Sequence, residues 1–540
     1  MQQEGGISME AMNGAYADIV LISNAVFTGT EDEAGPGFVA VAGEMICAVG
    51  PKNAAAEWIG PKTKVYELGD GLVMPGIHDN HVFFTGYLSM HRGLDLSASV
   101  SSGEALLMLT RYAETLPTGE NVYAFGWDAD AWGGLPKQEP LDAAFPDRAV
   151  IAINRSKSYC WMNGQAISKY GFAPDRCSAE DRALLLRDML QDRELVEAEF
   201  LAFCRMLAGC GVTSIKDIGF DDYAGLLPVL TELAESGRLP LRVHFALEPV
   251  LEPLNIAFGL KCKARYNGDW LRFQGYKVMV DGVVADHTGD MLEPYADMPG
   301  VTNLKPIDYE AIEAAVMEAD RHGMKCTLTA EGDAAIRRAV SILEKCRKVN
   351  GDRDIRHSIS DLEYPHPDDL TRMAEAGIFA EVYAQILLLN PSHEQSYMAE
   401  VAGKSNESRF YNYKALLDAG VTVTIGTDLP LFITSVPDSL YAASARLFPD
   451  ASPEGGWYPE RGMPRAEVLK AWTVNGAKHG YMEENTGTLT PGKYADIAVF
   501  DRNLLLTPVS DLRNAQAILT VAGGLVIHDK VGQITDSCHF

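Results

Sequence analysis

An alternation that runs through the middle of the chain constrains the fold more than any other feature. Short apolar runs at residues 122–125, 149–153, 212–215, 241–246, 275–280, 325–330, 378–382 and 421–425 are separated by stretches of helical periodicity, such as 311–321 and 333–348. Strand and helix alternating at this spacing is the pattern of parallel βα units. Repeated this often, it predicts an α/β fold of the (β/α)8 TIM-barrel type, with its functional groups at the C-terminal strand ends.

The two ends of the chain have another texture. Residues 18–27, 38–49 and 65–68 are short β-rich runs, the second broken by the turn former Ala42-Gly43-Glu44, which predicts a hairpin. Residues 487–499 and 517–528 return to the same Gly-rich, short-strand pattern. Matching ends predict one small β-sandwich domain built from residues 1–72 and 481–540, around a barrel at 73–480. A stretch with three Gly and two Pro at 450–462 reads as a surface loop able to reach over the barrel mouth.

Composition narrows the partners. Lys and Arg number 46 against 74 Asp and Glu, a formal charge of −28, which opposes binding to nucleic-acid phosphates or anionic membranes. Nine cysteines without a Cys-x-x-Cys pair suit a reducing compartment better than a disulfide framework. Residues 1–14 lack the basic start and apolar core of a signal peptide, and no later run approaches the roughly 20 apolar residues of a membrane span. The expectation is a cytoplasmic protein acting on a small molecule, with neither nucleic acid nor membrane as partner.

Residues 73–83 read Val-Met-Pro-Gly-Ile-His-Asp-Asn-His-Val-Phe: an apolar run, a Pro-Gly break and an Asp-x-His. Gly126-Trp127-Asp128, Gly211-Val212-Thr213, Lys277 through Asp281-Gly282 to Pro294-Tyr295, Gly332-Asp333, Arg356-His357, Gly426-Thr427-Asp428 and Gly487-Thr488-Leu489 follow in that order. In this order the segments resemble the amidohydrolase superfamily, and within it the YtcJ-like branch that includes N-substituted formamide deformylase, over nearly the whole chain. The resemblance implies a metal-dependent hydrolase, commonly dimeric. It implies metal held at strand ends by paired histidines, a carbamylated lysine, two further histidines and an aspartate.

Carried over position by position, His81, Lys277 and Asp428 match that set. Phe83 replaces the second paired histidine, and a phenyl ring has no lone pair for a cation. Thr329 and Asp361 stand where the further histidines are expected, and Ser158 where the branch often carries a substrate-side histidine. The altered set His81, Lys277, Asp361, Asp428 and Glu331, which shares strand parity with Thr329, would be carboxylate-rich. It would favour one manganese, zinc or magnesium ion. Asp428, Lys277 and His81 are then the catalytic candidates, with Asp428 moving the proton of a metal-bound water. The implied reaction is hydrolysis of an amide-like or cyclic carbonyl bond.

Two other readings stay open. Without metal, Asp361 or Asp428 in a more apolar site acts as general acid or base, and Lys277 serves as a cation or an amine nucleophile. That chemistry suits hydration, isomerisation or C–C hydrolysis of a cyclic diketone. Alternatively, the chain is a ligand-binding relative without turnover. His287, His357 and Tyr159 are candidates to touch substrate, each weighed against a surface or core role. His78 lies on the opposite strand parity to His81 and reads as a packed histidine.

Overall fold

In the computed structural model the described residues are 16–155, 158–174, 177–223, 225–391 and 397–531. The amino-terminal strands are β1 (Ile19–Val26), β2 (Gly35–Ala42), β3 (Met45–Gly50), β4 (Lys64–Glu67) and β5 (Leu72–Pro75). Next come β6 (Ile77–Val82), β7 (Leu94–Asp95), β8 (Val122–Trp127), β9 (Val150–Asn154) and β10 (Cys160–Met162). The middle of the chain supplies β11 (Val212–Phe220), β12 (Arg242–Glu248), β13 (Leu271–Met279), β14 (Cys326–Ala330), β15 (Ser358–Asp361), β16 (Phe379–Val382) and β17 (Val423–Ile425). The chain closes with β18 (Ile497–Phe500), β19 (Ala517–Ala522) and β20 (Leu525–Asp529).

Both ends of the chain enter one eight-stranded sheet, ordered β20-β19-β18-β5-β1-β2-β3 with β4 on β1. The hairpin between β2 and β3 turns at Gly43, whose φ of 56° is a left-handed conformation that glycine adopts without a Cβ clash. Apolar side chains pack on both faces: Leu21, Val39 and Val499 in one cluster, Val20, Phe38 and Trp58 in another.

A second eight-stranded sheet, β17-β16-β15-β14-β13-β12-β11-β6, is parallel throughout. A parallel bridge from Val82 to Leu429, just past β17, returns the sheet to its first strand and nearly closes the barrel. Among the described residues no helix is long and apolar enough to cross a membrane.

Two runs assigned to the barrel by their pattern lie elsewhere. Residues 122–125 and 149–153 belong to a separate four-stranded sheet, β10-β9-β8-β7, inserted between the first and second barrel strands. The barrel instead uses β6 and the four-residue β15. The reason is burial. In the inserted sheet Val122, Ala124, Val150 and Ala152 pack into a local core with Leu109, Leu141 and Trp161, while Tyr123, Ile151 and Ile153 pack into the main core. A strand covered on both faces reads the same in sequence whether or not it belongs to a barrel.

Candidate active site

The charged residues of the barrel fall into two tiers. In the lower tier Glu381, on β16, is fully buried. It accepts from Lys216 Nζ at 2.5 Å, Ser358 Oγ at 2.5 Å and Thr327 Oγ1 at 2.9 Å, with His81 Nδ1 at 3.3 Å. His479, on the helix Val474–His479, comes within 3.5 Å. Burial works to raise the Glu381 pKa, but Lys216, His479 and His81 outweigh it and hold the carboxylate well below its usual range.

That anion sets the tautomer of His81. Burial holds the imidazole neutral, with a pKa near 4. A neutral ring facing a carboxylate through Nδ1 carries its proton there, so the Nε2 lone pair faces the barrel mouth. His81 Nε2 is buried without a hydrogen-bond partner and lies 3.7 Å from Asp428 Oδ1.

Asp428 is positioned by the motif that carries it. Its backbone N–H donates to His81 O at 2.8 Å, and a Cβ on Gly426 would fall 2.3 Å from the His81 Cβ, so only glycine allows this approach. Asp79 clasps the same turn, accepting from Thr427 N at 3.1 Å, Thr427 Oγ1 at 2.8 Å and Thr434 Oγ1 at 2.7 Å. Asp428 itself has φ of 50°, and its side chain is one-third exposed.

In the upper tier Lys277, at the end of β13, donates to Glu248 Oε1 at 3.0 Å and lies 5.2 Å from the centre of the Phe83 ring. Burial would drive off its proton, but Glu248, Asp428 and Asp361 outweigh that and raise its pKa, so it is an ammonium. Asp361 is half-buried, with φ of 72°, and accepts from Ser360 Oγ at 3.0 Å. Burial pushes its carboxyl up to about 6 against the pull of Lys277.

Above Lys277, Glu248 and Asp428 opens a cavity of about 390 Å³. Its walls are mainly apolar, with Phe83, Phe125, Ile153, Phe220, Met279 and Leu431 among them, and Arg155 and Arg182 add positive charge. The inserted sheet forms the roof: Phe125 and Gly126 end β8, and Ile153 and Asn154 end β9. The 450–462 loop, expected over the mouth, does not line this cavity.

Several sequence candidates sit elsewhere. Glu331 accepts from Val284 N at 3.2 Å and pairs with Glu363; burial and that neighbour hold it well above the carboxylate range. His287 pairs with Asp297 at 2.9 Å and packs edge-on to Tyr295, fixing the loop after β13. The Tyr159 ring packs on Trp127 in the inserted core. His357 precedes β15 and so lies at the opposite end of the barrel. Its Nδ1 accepts from Cys326 N at 3.0 Å and its Nε2 faces Asp320 at 3.0 Å. None of these three substrate candidates lines the cavity. His78 is packed as expected, with Thr486 at 3.4 Å.

The donors do not fit a metal ion. Among the described residues no third His, Cys, Asp or Glu ligand atom gathers with His81 Nε2 and Asp428, short of the three protein ligands that a catalytic zinc uses. Phe83 and Thr329 offer no strong ligand, and Thr329 Oγ1 is engaged with Ser360 Oγ at 2.8 Å. Lys277 Nζ is committed to Glu248 Oε1 at 3.0 Å, and a carbamate in its place would set a second anion against that carboxylate. Among the described residues only Asp320, Cys346 and His357 gather three metal-type side chains. That group is already satisfied: Cys326 N–H fixes the His357 proton on Nε2, while Asn350 and Arg353 also donate to Asp320 at 2.7 and 2.9 Å.

Glu248, Glu381 and Lys216 escaped the sequence reading. A charged residue at the end of a barrel strand, as at Glu248, was the available signal. For the other two it was a single carboxylate and a single ammonium inside apolar runs, each needing the other.

Comparison with known proteins agrees with this architecture. The profile described as "Amidohydrolase family" matches residues 64–528. The Arabidopsis thaliana protein LONG AFTER FAR-RED 3 is 24% identical over 95% of this chain and 91% of its own. YtcJ of Bacillus subtilis (strain 168), provisionally named an amidohydrolase, is 23% identical over 87% and 91%. N-substituted formamide deformylase of Arthrobacter pascens is 21% identical over 92% and 95%. Among solved structures, an uncharacterized metal-dependent hydrolase from Pyrococcus horikoshii OT3 superposes with a TM-score of 0.73 at 19% identity, covering 91% of this chain and 99% of that one. The chain belongs to the amidohydrolase family, as a hydrolase of the YtcJ-like branch.

Proposed function

We propose that this hydrolase cleaves an amide-like or cyclic carbonyl bond in a small, largely apolar molecule, using Lys277, Asp428 and His81 in place of a metal centre. The observation that carries the reading is the Lys277 ammonium, held at the cavity floor by Glu248 and facing Asp428. A fixed cation at that position stabilises the negative charge that develops on a carbonyl oxygen under attack. His81 Nε2 and the Asp428 carboxylate are two acceptors 3.7 Å apart, so a water donating to both is oriented for attack. Asp428 takes the water's proton and returns it to the departing nitrogen or carbon. Water is consumed, one bond is cleaved, and Lys277 and Asp428 end as they began.

The apolar walls favour an aromatic or alicyclic body, and Arg155 and Arg182 favour an anionic group at its far end. The family names of the relatives support amide-like bonds, an argument by analogy. Partners beyond the small molecule, including a second copy of the chain, are part of the same analogy.

The test pairs metal analysis with turnover. Protein purified without added metal is assayed on N-formyl amines, cyclic amides and cyclic diketones, each with and without a carboxylate, before and after chelation. Turnover that survives chelation at substoichiometric metal supports the proposal. Turnover that disappears with chelation and returns with zinc or manganese overturns it.

A further inference from the structure

Cys160, at the start of β10 in the roof, and Cys177, just before the helix Ala179–Met189, take no part in the proposed chemistry but lie near each other. Their sulfurs are 2.9 Å apart and both residues are buried. Two thiols in ordinary contact stand farther apart, and a disulfide at about 2.05 Å requires the sulfurs to approach by less than about 1 Å. The backbone already holds the pair together. Cys160 N donates to Pro174 O at 2.9 Å, and Arg182 Nη1 donates to Cys177 O at 2.6 Å. Ser178 and Asp181 form a capping box that fixes the helix start beside Cys177. Among the described residues no other two cysteine sulfurs are in contact.

We infer that Cys160 and Cys177 are a redox modification site, which a peroxide-class oxidant converts to an intramolecular disulfide fastening the roof sheet to the helix that carries Arg182. The two sulfurs have different roles. The Cys160 thiol donates to Cys177 and, with the Arg182 guanidinium beside it, lowers the Cys177 pKa despite burial, while the Cys160 pKa is raised. With the Arg182 guanidinium held against its backbone carbonyl, Cys177 is assigned as the attacking thiolate. It takes an oxygen from hydrogen peroxide to become a sulfenic acid, releasing hydroxide. The Cys160 sulfur then attacks the Cys177 sulfur and expels that oxygen, which leaves as water with the remaining protons. Two thiols and one peroxide give one disulfide and two waters. Arg182 and Leu186, on the fastened helix, line the substrate cavity, so the bond joins two walls of that cavity.

The experiment exposes the reduced full-length chain to a small excess of hydrogen peroxide, blocks remaining thiols with an alkylating agent and maps peptides without reduction. The expected result is a Cys160–Cys177 cross-link, reversed by dithiothreitol and formed at least about tenfold faster than any other thiol is lost. In Cys160→Ser, Cys177 halts at a sulfenic acid that a dimedone probe captures. Arg182→Gln slows cross-linking in the otherwise unaltered chain. The inference is overturned if both cysteines remain alkylatable after other thiols have reacted, or if either links preferentially to a different cysteine. The wild-type map decides the matter even where a variant fails to fold.

Discussion

The lower and upper tiers of the barrel contain the same ingredients, an ammonium against carboxylates, and use them differently. Below, Lys216 and Glu381 are sealed among Thr327, Ser358, His81 and His479, with no access to the cavity. Above, Lys277 has Glu248, a sulfur and an aromatic ring as neighbours, and it lines the cavity with Asp428. A charge whose partners are complete and whose surroundings are dry has structural work only. A charge held firmly on one side and open to a ligand on the other can meet a reacting atom. The lower tier also serves the upper one, because Glu381 fixes the tautomer that turns His81 Nε2 upward.

The strongest break in this comparison is Lys216→Met. It leaves Glu381 buried without its main counter-charge and is expected to cost about 3–5 kcal/mol of stability, measured by denaturant unfolding. Lys277→Met is expected to do the reverse. Its carboxylate neighbours border the cavity, so stability changes less than in Lys216→Met, while kcat/KM falls about 10²–10³-fold, or about 2.7–4 kcal/mol of transition-state stabilisation. Equal stability losses in the two variants would erase the distinction between tiers.

A smaller effect separates buried carboxyls by pH. Burial outweighs three backbone donors and raises Asp281 to about 7 from an ordinary 3.8. Its folded-state pKa is raised, so the stability given by the extra proton is full below about 4 and is lost progressively as pH rises to about 7. Asp281→Asn, which has no proton to lose, is therefore expected to gain on the parent between pH 4 and 8 when unfolding free energies are compared. A constant difference across that range would contradict the assignment. The smallest effect belongs to the barrel floor. His357→Ala removes hydrogen bonds to Cys326 and Asp320 and is expected to cost about 1–2 kcal/mol without changing turnover. Added zinc should leave the unfolding midpoint of the parent chain unchanged.

The barrel was legible because its strands are apolar runs at regular spacing, and that same texture concealed the inserted sheet. Strand β15 was hard to see for the opposite reason: Ser358-Ile359-Ser360-Asp361 turns its polar side chains into the barrel and shows almost no apolar run. His81, Lys277 and Asp428 could be found because each stands near a strand end beside a recognisable turn. Their partners could not, since Glu248, Glu381 and Lys216 acquire meaning only when strands distant in sequence become neighbours. The departures at Phe83, Thr329 and Asp361 were visible as residues, but whether the remaining donors converge was a question of geometry. His357 shows the same limit: its motif neighbour Arg356 was correctly located in the chain, yet the pair lies at the wrong end of the barrel for substrate.

The inserted sheet has an architectural consequence. Reaction groups come from the barrel staves, whereas much of the cavity's upper wall comes from a single uninterrupted stretch between β6 and β11. Recognition and chemistry are thus written in separable parts of the chain. Grafting that stretch from a relative onto this barrel would transplant a ligand preference as a cassette, leaving Lys277, Asp428 and His81 in their own frame.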